Sequence, residues 1–335
     1  MTEVLIAEGV WSPAFEGLSR RRSLTRVPAG EELQPRLLAE CRALVVRNRT
    51  QVSSALLAAA PRLQIVARAG VGLDNLHLPA IDAAGVVAVA PLGVNAVSVA
   101  EHAVAMALAM AKGLVARDAS TRAGGWDRRP SRELAGCVWG LLSAGATACA
   151  TACLAQGLGM SVIAYDPYLD PADERLTAAG IRLAGLEEVL RTADVISMHL
   201  PATPQTNRLI DATALTIMKP DAYLINVGRG EAIDEDALVD ALRSGRLAGV
   251  ALDVRTDEPP APGRLEGAPR TLLSPHVAGI TTGAQDRIGE VLAQQIDRVL
   301  DGDAATAAVG SLDRPFSQPS TPGPSTGSSA ARGRS

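Results

Sequence analysis

An arginine, a glutamate and a histidine carry the chemistry this sequence offers: Arg229 in INVGRG, Glu258 in DVRTDEP and His276 in SPHVAG. Each follows a short apolar run of strand length, and doubly wound parallel sheets place their sites at such strand ends. Together the three suit hydride transfer to a 2-keto acid. The guanidinium clamps the carboxylate bidentately and polarises the carbonyl. The imidazolium donates the alcohol proton as general acid. A carboxylate hydrogen-bonded to that ring favours its charged form and orients it. Singly, each has a plainer reading: a salt-bridge arginine, a loop acid before two prolines, a turn histidine. Their joint occurrence at strand ends shifts the weight to catalysis.

Hydride chemistry needs a carrier, and residues 134–168 have the plan of a dinucleotide-binding βαβ unit. The pattern predicts a strand over Val138–Leu142, a tight turn at Ser143-Ala144-Gly145, a small-residue helix over 146–158 and a second strand over 162–165, with Asp166 at its end. The usual G-x-G-x-x-G reads here as Ser143-x-Gly145-x-x-Ala148. Gly145, which lets the backbone approach a pyrophosphate, is kept, and alanine is accepted at the third position. If Ser143 needs a positive φ, its side chain costs roughly 1–2 kcal/mol, about a tenfold loss of cofactor affinity at worst. Asp166 suits the ribose 2′- and 3′-hydroxyls and repels a 2′-phosphate, so NAD is expected over NADP.

These residues need a scaffold of alternating strands and helices. Strands are expected over 4–7, 43–46, 63–67, 86–90, 195–198, 222–227, 248–253 and 271–273, with helices over 52–60, 79–84, 186–191, 211–218, 235–244 and 282–300. That alternation implies an α/β fold with parallel sheets. A single apolar helix over 99–115 should join two blocks, and the last helix should return to the first block. At 335 residues two domains are natural. A net charge of -4 argues against a nucleic-acid binder. Cys41, Cys137, Cys149 and Cys153 form no C-x-x-C pair and read as small buried hydrophobes, so no metal site is expected. The apolar stretch 83–100 is broken by Gly85, Pro91, Gly93 and Asn95 and makes a poor membrane span, and the N-terminus lacks a basic leader, so a cytoplasmic location is expected.

The sequence resembles the D-isomer-specific 2-hydroxyacid dehydrogenase family, nearest its phosphoglycerate dehydrogenase branch. The motifs are RAGVGLDN (68–75), NAVSVAEH (95–102), the βαβ stretch, HLPATPQT (199–206), LINVGRGEAIDEDAL (224–238), ALDV (251–254) and SPHVAG (274–279). The resemblance implies two Rossmann-like domains, a flavodoxin-like substrate domain and a doubly wound NAD-binding domain, with the active site in the cleft between them. Residues 1–98 plus 283–310 would form the substrate domain, 99–282 the NAD domain, and 311–335 a disordered tail. It implies His276 as proton donor, Glu258 as its partner and Arg229 as substrate clamp. The N–H groups of Val71 and Gly72 would hold the substrate carboxylate, with Asn95 nearby and Arg47 and Arg68 placed for a phosphate. Val71 would also border the cofactor. His199, Leu200, Pro201 and Thr206 would line the adenine side, Asp253 would hold the nicotinamide carboxamide, and Val227, Gly228, Ala278 and Gly279 would border the nicotinamide. Glu101 and His102 are further family hallmarks, read as structural.

The family pattern departs at the turn. Ser143 stands for a glycine, and Ala146, before Thr147, stands where the pattern has arginine, removing a cation that could meet phosphate. The expected function is NAD-dependent interconversion of a D-2-hydroxy acid and its 2-keto acid by a homodimer, with 3-phosphoglycerate the leading substrate. Alternatives are a hydroxypyruvate or glyoxylate reductase, or a dinucleotide-binding sensor or corepressor-like protein on the same fold.

Overall fold

The computed structural model describes residues 2–316. The tail from 317 onward, expected to be disordered, lies outside them. Residues 311–316 instead pack on the first sheet's domain: the Ser311 N–H donates to Asp82 and the Phe316 N–H to the Gly85 carbonyl.

Two all-parallel sheets organise the chain. The first contains β1 (Val4–Ile6), β2 (Leu24–Arg26), β3 (Ala43–Val46), β4 (Ile65–Arg68) and β5 (Val87–Val89), in the order β2-β1-β3-β4-β5. The second contains β6 (Val138–Leu142), β7 (Ser161–Tyr165), β8 (Arg182–Leu183), β9 (Val195–Met198), β10 (Tyr223–Asn226), β11 (Gly249–Leu252) and β12 (Thr271–Leu273), in the order β12-β11-β10-β9-β6-β7-β8. Their central strands are runs such as ALVV and VISM, buried throughout, because helices cover both faces. The missed strands β2 and β8 are short and only partly buried, so their sequences lack that continuous apolar run.

Alternate residues feed opposite cores. Val4 and Ile6 pack with Ile288, Leu292 and Ile296 of the helix Thr282–Leu300, whereas Leu5 packs with Leu44, Val66 and Ile81 on the other face. The last helix thus returns to the first sheet, as expected. Strand order reverses between β1 and β3 in one sheet and between β6 and β9 in the other. Ligand crevices open at such switch points.

The connecting helix differs from expectation. It runs Ala96–Lys112, stops at Gly113 in a left-handed conformation (φ 61), and a second helix, Leu114–Arg122, leaves at 58° to it. The glycine takes that φ without steric cost and ends the first helix. Ala103 and Ala107 of the first helix share a core with Ala148, Ala152 and Ala155 of the helix Ala146–Gly157. No single helix among the described residues is long and apolar enough to cross a membrane. The cysteines are free; Cys41 is buried as expected, but Cys137 and Cys149 are only partly buried and Cys153 is exposed on its helix, contrary to the buried reading.

Candidate active site

The loop carrying His276 is folded around one buried carboxylate. Asp253, the first residue after β11, is 1% exposed. It accepts the N–H groups of Val277 at 2.9 Å and Ala278 at 2.8 Å together with the Ser274 hydroxyl, while its own carbonyl accepts the His276 N–H at 2.7 Å. Ser274 Oγ also lies 3.0 Å from His102 Nε2, which gives that helix residue a structural task. The loop holds His276 at φ 54. Its Nδ1 is 2.6 Å from Glu258 Oε2. Burial works to raise the Glu258 pKa, but the hydrogen bonds from His276 and the Arg255 N–H, with the charges of His276 and Arg229, bring it below the usual carboxylate range. An ionised Glu258 on Nδ1 leaves Nε2 to exchange a proton.

Arg229 is fixed by its own loop. Asn226 donates to the Arg229 carbonyl at 2.9 Å and accepts from the Gly228 N–H at 3.0 Å. The Arg229 guanidinium donates to the Gly228 carbonyl at 2.8 Å and to Asp74 Oδ2 at 2.9 Å. On the first sheet, Arg68 ends β4 and is 8% exposed. Glycines make the room: a Cβ on Gly70 would fall 2.0 Å from Arg68 Nη1, and one on Gly72 would fall 2.2 Å from Arg229 Nη2. Burial, reinforced by the charges of Arg229 and Arg47, pushes Arg68 down to about 10, against the opposing pull of Asp74 and Glu8. Among the described residues neither Arg68 nor Arg47 has a carboxylate within ion-pair distance, and Arg68 has one long hydrogen bond, 3.5 Å to Asn75 Oδ1. The Val71 and Gly72 N–H groups have no acceptor among the described residues. Asn95 is 8% exposed, its Oδ1 is buried without a partner among the described residues, and Gly279 packs against its amide.

Glu8 and Asp74 are site residues that sequence reasoning missed. Glu8 follows β1 at φ 60 and accepts four consecutive backbone N–H groups, those of Arg47, Asn48, Arg49 and Thr50, at 2.9–3.1 Å. Burial opposes its ionisation, yet those bonds draw its pKa down to about 2. The partners lie some forty residues apart in sequence, with no local signal to pair them. Asp74 lies within RAGVGLDN, so its motif was visible although its partner was not.

On the second sheet, Ser143 sits at φ 89, the positive value that makes serine costly there. Gly145 starts the helix Ala146–Gly157 with no side-chain cap, so first-turn N–H groups lack intrahelical acceptors. Only Ser143 Oγ, at 3.6 Å, would meet a Cβ at Gly145, so the turn is open to an approaching anion. Gly145 and Ala146 are exposed and Thr147 is partly so. Asp166 accepts the N–H groups of Ala144 at 3.0 Å and Tyr168 at 3.1 Å, which leaves lone pairs for sugar hydroxyls. His199 lies 2.9 Å from the Ser197 hydroxyl, burial pushes its pKa down to about 3, and its buried Nδ1 has no partner among the described residues. Thr206 Oγ1 donates to the Pro201 carbonyl at 2.7 Å, fixing the loop after Leu200. Val227 and Ala278 are buried, and Gly228 packs against the Leu200 backbone. Uncapped helix N–H groups, an open glycine turn and a strand-end carboxylate fit a dinucleotide.

Residues 104–278 match the model of the D-isomer specific 2-hydroxyacid dehydrogenase NAD-binding domain. The chain is 40% identical to D-3-phosphoglycerate dehydrogenase of Mycobacterium leprae over 88% of its own length and 54% of that protein's. It is 38% identical to (S)-sulfolactate dehydrogenase of Chromohalobacter salexigens over 90% of its length and 99% of that protein's. Among solved structures, D-lactate dehydrogenase from Aquifex aeolicus, complexed with NAD and lactic acid, superposes with a TM-score of 0.80 at 27% identity, covering 90% of this chain and 96% of that one. The chain therefore belongs to the D-isomer specific 2-hydroxyacid dehydrogenase family, and its second sheet carries that family's NAD-binding domain. It spans about half the length of the curated phosphoglycerate dehydrogenases it matches.

Proposed function

We propose that this protein interconverts a D-2-hydroxy acid and its 2-keto acid with NAD, and that its substrate carries a second anionic group, 3-phosphoglycerate being the leading candidate. The observation that carries the substrate reading is Arg68. Among the described residues Arg68 has no carboxylate within ion-pair distance, and a buried guanidinium without one is costly to hold. The charges of Arg229 and Arg47 add to that cost, against the opposing pull of Asp74 and Glu8. A ligand with two anionic groups compensates that cluster. The relatives agree in chemistry, since phosphoglycerate and sulfolactate are both three-carbon hydroxy acids with a second strong anion.

Bound NAD supplies the hydride acceptor at the substrate C2. Arg229 and the Val71 and Gly72 N–H groups hold the carboxylate, with Asn95 beside it. Arg68 and Arg47 hold the second anion. His276 takes the hydroxyl proton at Nε2 during oxidation and returns it during reduction. Glu258, ionised against Nδ1, stabilises the imidazolium that results. On the cofactor side, Gly145, Ala146 and Thr147 meet the pyrophosphate and Asp166 the ribose, with Leu200, Pro201 and Thr206 toward the adenine. Asp253 has one oxygen less committed to its loop, Oδ2, to offer the carboxamide.

The site residues are divided between a substrate domain, 1–98 plus 283–310, and a cofactor domain, 99–282. We further propose a cytoplasmic homodimer formed through the cofactor domains, supported by the exposed apolar side chains of Leu114, Val115 and Trp126 beside the helix break. A second reading, a dinucleotide sensor, is favoured by Ser143 at positive φ. Steady-state assays with NADH and a panel of 2-keto acids separate the two: turnover supports the dehydrogenase, and NADH binding without turnover of any 2-keto acid supports the sensor.

A further inference from the structure

The substrate clamp is already engaged by a carboxylate of the protein itself. Arg229 Nη2 lies 2.9 Å from Asp74 Oδ2. The ideal Cβ position on Gly72 lies 2.2 Å from Arg229 Nη2, 2.8 Å from Asp74 Oδ2 and 3.3 Å from Arg68 Nη2. A carboxylate oxygen therefore sits on the Arg229 guanidinium, beside a glycine whose N–H has no acceptor among the described residues. We propose that Asp74 is an internal stand-in for the substrate carboxylate, which must exchange with it on Arg229 for the substrate to bind. The inference rests on reading Arg229 as the substrate clamp.

Three features make the exchange practicable. The Asp74 side chain is 57% exposed, so it can turn into water without a burial penalty. The Arg229 side chain is held independently through the Gly228 carbonyl, so the clamp does not collapse when Asp74 leaves. Two further carboxylates in electrostatic reach of these arginines, Glu258 and Glu8, are committed to His276 and to the 47–50 backbone. Asp74 is thus a specificity-determining residue: it neutralises the clamp when the cleft is empty and competes with every ligand that approaches with a carboxylate.

The test compares the full chain with Asp74→Asn and Asp74→Ala. Oxamate, a non-reducible 2-keto acid analogue, is titrated into each protein in the presence of NADH, with nicotinamide fluorescence as the readout, and KM and kcat are measured for the best 2-keto acid. Removing a partly exposed competing ion pair should tighten oxamate and lower KM about two- to tenfold in both variants, with the gain falling on KM. If Asp74 instead orients Arg229, oxamate binding weakens and KM rises, and that result, or no change, overturns the proposal. A wild-type protein that binds NADH but neither binds oxamate nor turns over any keto acid overturns the dehydrogenase reading and this inference with it. Wild-type turnover without tightening in the variants overturns this inference alone.

Discussion

Arg229 and Arg68 sit side by side with unequal compensation. Arg229 has Asp74 at 2.9 Å, and Arg68, more deeply buried, has no carboxylate partner among the described residues. The imbalance stores unfavourable energy that a ligand anion relieves, so replacing Arg68 should separate stability from function. Arg68→Met should raise the thermal midpoint of the ligand-free protein. It should also raise KM for a doubly anionic keto acid by about 10–100-fold, the worth of a charge-assisted hydrogen bond. Melting curves and kinetics on the same variant check both halves. His276→Ala should cut kcat by about 10²–10⁴ if its Nε2 moves the proton. Ser143→Gly should tighten NAD by up to about tenfold, because glycine takes φ 89 without cost; calorimetric titration reads this directly. Arg229, Glu258 and His276 were legible because each lies in the loop that follows an apolar strand of the second sheet. The pairing of Arg229 with Asp74 was not, because it joins residues 155 positions apart.

Glu8 shows how one element presents another. Its carboxylate gathers the four N–H groups after β3 and so fixes the loop from which Arg47 departs, at the switch point of the first sheet. Its folded-state pKa, about 2, lies below the ordinary 4.5. The sign follows: Glu8 contributes stability above about pH 4.5, and the contribution is lost as pH falls toward 2. Glu8→Gln should therefore destabilise the protein at neutral pH by about 1–2 kcal/mol, discounted for partial exposure. The gap should close as pH falls from 4.5 to 2. Denaturation at a series of pH values tests it, and a gap independent of pH would contradict it. Most elements were legible because buried parallel strands are continuous apolar runs. The helix break at Gly113 was missed because the apolar pattern continues through it, and β2 and β8 because edge strands carry little pattern.

At the scale of the molecule, two parallel sheets each carry a switch point, and Arg229 from a loop of the second sheet meets Asp74 from a loop of the first. The last helix crosses back to pack on the first sheet. That return was readable from a long amphipathic helix. Exposed Leu114, Val115 and Trp126 lie on the segment just past the helix break. Sedimentation should give a dimer, and Trp126→Arg with Val115→Asp should give monomers that retain NAD binding; dimers that persist unchanged would place the interface elsewhere. The central claim is that buried, uncompensated Arg68 selects a keto acid with a second anion. It is tested most directly by kcat/KM with NADH for 3-phosphohydroxypyruvate, sulfopyruvate, hydroxypyruvate and glyoxylate. The two doubly anionic substrates should lead the other two by at least about tenfold, an advantage that Arg68→Met should erase. Equal or better turnover of glyoxylate by the wild-type protein would contradict the account.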